Sequence, residues 1–234
     1  MKKKDMNWKD QDPWGLKEFL LMMILEFVFV IGCIKFLVKP IYSQWFDNEL
    51  YSGTLIGLTI AIVLVSGVYF IILRPKKLSW SEVGIRSFSI KDWKFIVLLT
   101  IILMAGDVIV MMLTSFIGNS YENSKTEAIQ QSVNFFTVLI AFISAAVISP
   151  IYEEIFYRGF LYRWLRTRFG MMWAIFLSSL IFTIIHIPTY NAMPVNFLSG
   201  IVFAWAYERT NSIWPSVIIH VLTNGIMVLL TIMG

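Results

Sequence analysis

Charged residues are scarce in this sequence of 234 residues, and their scarcity indicates the class of protein. Asp, Glu, Lys and Arg make up 15% of the chain, whereas a soluble domain carries about 25%. Hydrophobic residues make up 58% and the mean hydropathy is +0.73, which is more apolar surface than a water-soluble fold can hide. The composition therefore excludes a sizeable soluble domain and predicts an integral membrane protein. The net charge of +4 indicates membrane anchoring and gives no case for nucleic-acid binding.

Cysteine and histidine are also rare. The single cysteine, Cys33, lies in an apolar run, so a disulfide framework is excluded and a packing role is expected. The chain has only two histidines, His186 and His220, and both fall within apolar runs. A zinc-protease helix of the form His-Glu-x-x-His is absent from the sequence.

Eight apolar runs are visible in the sequence, and several of them have about the 20 residues that a helix needs to cross a bilayer. They lie at 18–38, 53–73, 95–117, 133–149, 151–162, 171–187, 195–207 and 213–232. The run at 151–162 is short, so 133–162 can also be one helix broken at Pro150, which lacks a backbone donor. The sequence predicts an all-α, polytopic transmembrane bundle of about 7–8 spans, and the first span is expected to be uncleaved.

Basic residues predict the orientation of the chain. Lys and Arg collect in the N-terminal tail, in the 74–94 loop, at Arg163–Arg168 and at Arg209. The positive-inside rule places all of them in the cytoplasm if the N-terminus is cytoplasmic and 133–168 is one crossing. We therefore expect a multi-pass plasma membrane protein, and the Lys-rich start and compact size favour a bacterial source.

Ionisable residues inside membrane spans are costly and are candidates for function. In Glu153-Glu154-x-x-x-Arg158, Glu154 and Arg158 lie four residues apart and can pair on one helix face. Glu153 points about 100° away from Glu154 and lacks that counter-ion, which suits a general base. The pattern favours a reactive Glu153 and a structural Glu154–Arg158 pair. The alternative is a purely structural ion cluster.

His186 is expected to face Glu153. Phe169-Gly170 joins two apolar runs into an antiparallel helical hairpin, and Glu153 and His186 each lie about 16 residues from this turn, hence at similar depth. A glutamate facing a histidine is suited to activating water. Alternatively, His186 is a helix-end histidine bonded to a carbonyl oxygen.

His220 and Asn224 lie four residues apart in the last apolar run, so their polar groups share one helix face. Two donors placed in this way can hold a developing oxyanion. They can also be metal ligands, or an interhelical hydrogen-bond pair. Asp107 matches none of these motifs and fits a cavity wall, a packing role or an interhelical hydrogen bond.

Together these residues resemble the three motifs of the CPBP family, which includes the CAAX prenyl endopeptidases and the Abi bacteriocin-processing and immunity proteins. The motifs are Glu153-Glu154-x-x-x-Arg158, Phe182-x-x-x-His186 and His220-x-x-x-Asn224. The flanking Ser149-Pro150, Gly159-Phe160-Leu161 and Trp214-Pro215 also fit. The resemblance covers residues 133–234, which are expected to form a catalytic core. Residues 1–132 are expected to add N-terminal spans and loops within one integral membrane domain.

The resemblance implies a helical core with a polar catalytic cavity inside the membrane. Glu153 and His186 would activate water, and His220 and Asn224 would hold the oxyanion. Supporting roles would fall to Glu154, Arg158 and Phe182. A divalent metal such as zinc would be bound by Glu153, His186 and His220, whereas a glutamate-activated water needs no cofactor. The two histidines and the missing His-Glu-x-x-His helix favour the metal-free mechanism.

We therefore expect an intramembrane endopeptidase that acts on a membrane-associated peptide or a lipidated protein. A bacterial host favours peptide pheromones or bacteriocin leaders over prenylated substrates. The alternative is a non-catalytic or immunity-type membrane protein that binds a peptide partner. A small transporter is disfavoured because the polar residues gather in one part of the chain.

Overall fold

The computed structural model describes residues 9, 11–46, 48–116, 124–130 and 133–233. Every regular element in these ranges is helical, in agreement with the predicted all-α class. The three lysines on which the orientation prediction partly depends, Lys2, Lys3 and Lys4, lie outside the described residues.

Seven helices organise the described part of the chain. They are α1 (Leu16–Trp45), α2 (Glu49–Lys76) and α3 (Ile90–Ser115), α4 (Ser124–Gln130), α5 (Phe135–Ile184), α6 (Met193–Thr210) and α7 (Ile213–Met233). Within α5, the segment Glu154–Tyr162 is π-helical, so part of the first motif lies on a widened helical turn.

The long helix α5 consists of two arms that meet at Gly170. Gly170 has φ 78° and ψ 174°, a conformation that glycine tolerates because it has no Cβ. The first arm, 135–169, precedes the turn, and the second arm, 171–184, runs back beside it. Their contact is direct, since the ring centroids of Tyr157 and Phe182 lie 5.3 Å apart. The hairpin predicted at Phe169-Gly170 is therefore observed.

Five helices are long and apolar enough to cross a membrane, namely α1, α2, α3, α5 and α7. If the two arms of α5 are counted separately and α6 is added, the bundle has seven candidate spans. This is the lower end of the predicted 7–8 spans. The runs 133–149 and 151–162 are not separate spans, because one helix continues through Pro150. The segment before this proline, Phe142–Ile148, is π-helical, and such local adjustments let a transmembrane helix accommodate a proline.

Large apolar side chains point away from the bundle. Phe36 is 69% exposed, Ile62 is 67% exposed and Leu113 is 61% exposed. An apolar exterior of this extent is unusual for a protein surrounded by water and suits lipid chains. The exterior and the helix lengths together support a multi-pass membrane protein.

Two buried clusters position the helices that carry the motifs. In the larger cluster, α1 and α2 pack against the first arm of α5, with Met22 and Phe156 fully buried. In the second cluster, α3 packs against α6 and α7 through Leu99, Phe203 and Ile219. The first arm of α5 and helix α7 are thereby brought to the middle of the bundle.

Loops at one end of the bundle are tied to one another. The backbone N–H of Ile213 donates to the carbonyl oxygen of Gly84 over 3.0 Å, and the guanidinium of Arg163 pairs with Glu82 at 2.9 Å. We call this end the basic end; it comprises 80–86, 163–168 and 207–213. The orientation prediction requires these segments to share one side of the membrane, and in the structure they lie together at one end of the bundle. Which side is cytoplasmic stays a prediction.

Candidate active site

A polar cavity of about 280 Å³ lies inside the bundle. Its wall includes the four side chains expected to carry the chemistry, which are Glu153, His186, His220 and Asn224. Phe182 forms part of the same wall. Three sequence motifs that are far apart in the chain therefore meet in one place.

The cavity extends away from the basic end. Its wall also contains Thr126 of α4, Thr189 and Thr231. Thr231 lies near the end of α7, whose first residue is bonded to the basic end. The cavity therefore reaches from the middle of the bundle toward the opposite end.

Glu153 lies within the first arm of α5 and faces the cavity. The residue is only 7% exposed, and its Oε2 lies 3.8 Å from Nε2 of His220. The neighbouring cation, Arg158, pairs with Glu154 instead. This division between the two glutamates is the one that their angular offset on a helix predicts.

Glu154 lies behind the cavity wall and is completely buried. Its Oε1 accepts a hydrogen bond from the guanidinium of Arg158 at 3.0 Å, and Nδ1 of His220 lies 3.0 Å from the same oxygen. The predicted pair with Arg158 is observed, and the bond to His220 extends it. Glu154 thus links the buried cation to a side chain of the cavity.

Arg158 is held by aromatic faces and a carbonyl oxygen. Its guanidinium carbon lies 4.5 Å from the ring centroid of Phe182 and 5.1 Å from that of Phe203. A further N–H donates to the carbonyl oxygen of Gly200 at 3.4 Å. Cation–π contacts and hydrogen bonds of this kind replace water around a buried cation. Arg158 therefore joins both arms of α5 to α6.

The imidazole of His220 is oriented from two sides. The ring stacks on Phe203, with centroids 4.4 Å apart and planes at 23°, while Nδ1 faces Glu154. Since that carboxylate oxygen already accepts from Arg158, we assign the hydrogen to Nδ1. In the neutral ring Nε2 is then an acceptor, and it points toward Glu153.

His186 lies just beyond the second arm of α5 and is half-buried in the cavity wall. Its Nδ1 lies 2.7 Å from the backbone carbonyl oxygen of Phe182. A carbonyl only accepts hydrogen bonds, so Nδ1 carries the hydrogen and Nε2 is the acceptor of the neutral ring. His186 is therefore bonded to a carbonyl oxygen, as one interpretation of the sequence has it. It also lines the cavity, as the catalytic interpretation requires.

Asn224 lies one turn beyond His220 on α7 and lines the cavity. Its Nδ2 donates to the carbonyl oxygen of Ala145 at 2.9 Å. The bond crosses from α7 to the first arm of α5, as expected of an interhelical hydrogen bond. It uses one of the two amide hydrogens, so it is compatible with a second role as a donor in the cavity.

Comparison with known families agrees with the three motifs. The family model described as type II CAAX prenyl endopeptidase Rce1-like matches residues 135–226. Residues 135–226 form a CPBP-family region. The resemblance inferred from the motifs is thereby confirmed, and the matched residues begin at the start of α5.

Two bacterial proteins are similar in sequence to this chain, one over nearly its whole length and one over about half of it. MroQ of Staphylococcus aureus (strain USA300), named as a membrane-embedded CAAX protease, is 26% identical over 230 residues, which cover 94% of this chain and 86% of MroQ. YdiL of Bacillus subtilis (strain 168), named for a proposed membrane peptidase activity, is 28% identical over 113 residues. That match spans 48% of this chain but only 45% of the length of YdiL. No solved structure matches the chain.

The side chains of the CPBP region do not form a three-ligand metal site. Among the residues that the structure describes, no group of three His, Cys, Asp or Glu side chains is placed to hold an ion. The metal-dependent mechanism would use Glu153, His186 and His220 as ligands. These residues line the cavity but do not form such a group. The donor set therefore does not fit a metal centre of three protein ligands.

Sequence reasoning missed two contributions from α6 to the CPBP region. Phe203 stacks on His220, and the carbonyl oxygen of Gly200 accepts from Arg158. Nothing in the apolar run 195–207 marks either residue, because stacking partners and backbone acceptors are recognised only once the helices are packed. Asp107, for which the sequence leaves a cavity wall, a packing role and an interhelical hydrogen bond open, lines the cavity.

Proposed function

We propose that this chain is an intramembrane endopeptidase that hydrolyses a peptide bond with an activated water molecule. The observation that carries the proposal is the shared cavity wall formed by Glu153, His186, His220 and Asn224. The CPBP-family match and the names of the two relatives support it.

Glu153 is assigned as the general base. Its carboxylate accepts a proton from a water molecule while the water oxygen attacks the carbonyl carbon of the scissile bond. His186 orients this water through Nε2, which is an acceptor because Nδ1 is bonded to the Phe182 carbonyl. The side chains of Glu153 and His220 are buried, and a low-dielectric setting strengthens such electrostatic interactions.

His220 and Asn224 are assigned to the negative oxygen of the tetrahedral intermediate. Because Nδ1 of His220 is directed at Glu154, Nε2 donates to the oxyanion only when both ring nitrogens carry hydrogen. Asn224 contributes the amide hydrogen that does not bond to Ala145. Fixed donors of this type stabilise the transition state in acyl transfer.

Collapse of the intermediate completes the reaction. The bond between the carbonyl carbon and the amide nitrogen breaks, and the proton taken up by Glu153 passes to the leaving nitrogen. The products are a carboxylic acid and an amine, and the base is regenerated. No cofactor is needed for this sequence of steps.

Glu154 and Arg158 are assigned as positioning residues. Glu154 holds Nδ1 of His220 and is held in turn by Arg158. Partner groups one contact away from the reacting atoms fix ring orientation and tautomer. These two residues therefore act on the reaction through His220.

The substrate is proposed to be a membrane-associated peptide or a lipidated protein, because the cavity lies inside a transmembrane bundle. The two relatives are bacterial, which supports a multi-pass protein of the bacterial plasma membrane and a peptide precursor as substrate. The orientation with a cytoplasmic N-terminus belongs to the same proposal.

The proposal is tested by cleavage of a library of amphipathic and lipidated peptides by the purified full chain in detergent. We expect Glu153→Gln to abolish cleavage. The matched control is Glu208→Gln, because Glu208 is also buried but bonds to Tyr162 and Arg166 at the basic end. Retention of cleavage in the Glu153 variant would show the site assignment to be wrong. Absence of cleavage by well-folded wild-type protein across the library would instead favour the non-catalytic, peptide-binding alternative.

A further inference from the structure

Asp107 is a buried carboxylate for which the mechanism above has no use. It lies on α3 and is only 7% exposed, yet it lines the same cavity as Glu153 and His220. Its Oδ1 has no hydrogen-bond partner among the residues that the structure describes. A buried carboxylate oxygen without a partner is costly in a membrane protein, which points to a ligand that completes the site.

The described cavity wall offers Asp107 no counter-ion. Neither lysine nor arginine occurs among the described lining residues, and the buried Arg158 is engaged by Glu154 behind the wall. The described wall thus carries two carboxyl groups, Asp107 and Glu153, and no permanent cation. Its charge is complementary to a positively charged group of a substrate.

The packing of α3 on α6 gives the offset along the bundle between the level of Asp107 and the level of the His220 ring. Gly106 approaches Leu198 so closely that an added Cβ would lie 2.7 Å from its side chain, and Phe203 of the same helix stacks on His220. Leu198 and Phe203 are five residues apart, which corresponds to roughly 7.5 Å along a helix. An extended peptide covers this distance in about two to three residues.

We propose that Asp107 is a specificity residue that binds a lysine or arginine side chain of the peptide substrate, two or three residues from the scissile bond. The inference rests on the proposed endopeptidase function and names a substrate class for it. Asp107 does not compete with Glu153 for the role of base, because the offset along the helices separates it from the attacked carbonyl.

The test uses the purified full chain in lipid nanodiscs and one cleavable amphipathic peptide in three forms. The forms carry Lys, Gln or Glu at the second or third residue from the cleaved bond, on either side. We expect wild-type protein to cleave the Lys form with a kcat/KM about tenfold or more above the Gln form, as for a charge-assisted hydrogen bond. The Glu form should be the poorest of the three.

Substitution of Asp107 should change the ratio of the kcat/KM values for the Lys, Gln and Glu peptides. In Asp107→Asn, which preserves shape, the Lys-to-Gln ratio should fall to about one, and in Asp107→Lys the Glu form should be preferred over the Lys form. The matched control is Thr100→Val on the same helix, because Thr100 is buried and its described hydrogen bond is to the carbonyl oxygen of Ile96. This control should keep the wild-type ratio.

The experiment distinguishes failure of this inference from failure of the endopeptidase proposal. Equal Lys-to-Gln ratios in wild-type protein and Asp107→Asn, at every position tried, would overturn the inference alone. If wild-type protein cleaves no peptide, the endopeptidase proposal fails, and binding of the fluorescently labelled Lys and Gln forms is measured instead. Tighter binding of the Lys form that is lost in Asp107→Asn would still support the role of Asp107, and equal binding would contradict it.

Discussion

The guanidinium of Arg158 lies 4.5 Å from the ring centroid of Phe182, and the two residues are equidistant in sequence from the turn at Gly170. The contact therefore joins corresponding positions of the two arms of α5. It also lies directly behind the wall that carries Glu153 and His220, because Glu154 connects Arg158 to the His220 ring.

Replacing Arg158 by lysine should destabilise the protein. Lysine keeps the charge but loses the planar guanidinium that bonds Glu154 and Gly200 and contacts two aromatic rings. Each hydrogen bond of a charged group that lysine cannot replace is worth about 1.5–3 kcal/mol. Thermal unfolding in detergent, followed by labelling of the single, half-buried Cys33, measures the loss. The exposed Arg74→Lys is the control, and an equal effect of both changes would contradict the proposed role.

Glu154→Gln and Glu153→Gln should have different effects. Glu154→Gln leaves Arg158 without its buried counter-ion, so both stability and cleavage should fall. Glu153→Gln affects a cavity residue, so the protein should keep its unfolding temperature within a few degrees while cleavage falls about 100- to 10,000-fold. Paired unfolding and kinetic measurements check this, and a large drop in the stability of Glu153→Gln would show that its carboxylate is structural.

Gly159→Ala should loosen the basic end of the bundle. An added Cβ would lie 2.9 Å from Cβ of Val83 and meet its backbone as well, so the 80–86 loop would have to move. We expect a loss of roughly 1–3 kcal/mol, as for overpacking of a core. Gly53→Ala is the matched control, since nothing lies within 4 Å of the added atom and alanine is the better helix former. Similar unfolding temperatures for the two variants would exclude close packing at Gly159.

Phe203→Leu should lower kcat more than it raises KM. The variant removes the ring that stacks on His220, so the imidazole is oriented less well, and small displacements of catalytic groups cost about tenfold to a hundredfold in rate. Phe197→Leu on the same helix is the control, because Phe197 contacts Phe176 and not the cavity. A rise in KM at constant kcat would place Phe203 in substrate binding instead.

Treatment with a chelator should leave cleavage within about twofold of the untreated rate, since the described donors do not form a three-ligand metal site. The measurement compares chelator-treated protein with the same protein after zinc is restored. Loss of cleavage that zinc reverses would assign Glu153, His186 and His220 to a metal.

Features that depend on neighbours in sequence could be predicted well. The hairpin at Gly170 follows from two apolar runs separated by a glycine, and the Glu154–Arg158 pair follows from a spacing of four residues. The resemblance to a known family predicts that Glu153, His186 and His220 share one site, a long-range relationship that spacing alone does not supply, and the three residues line one cavity. The assignment of roles to these residues stays a prediction.

Features that depend on packing between helices could not be predicted in the same way. In the sequence, the helix that continues through Pro150 looks like two short apolar runs. The π-helical segments that let it continue depend on the surrounding bundle, so they could not be predicted. Phe203 resembles any other aromatic residue of an apolar span until α6 is packed against α7. The bond between Gly84 and Ile213 joins backbone atoms and has no side-chain signature at all.

The two ends of this bundle are unequal, and insertion into the membrane therefore matters for what the cavity can encounter. The basic end gathers the loops that the positive-inside rule assigns to the cytoplasm, whereas the cavity extends toward the other end, where Thr126 and Thr231 lie. A molecule inserted upside down would keep every contact of its cavity intact while presenting it to a different population of peptides. Under the proposed orientation and function, the lysines and arginines of the basic end would help to choose the substrates of a site whose described wall contains none of them.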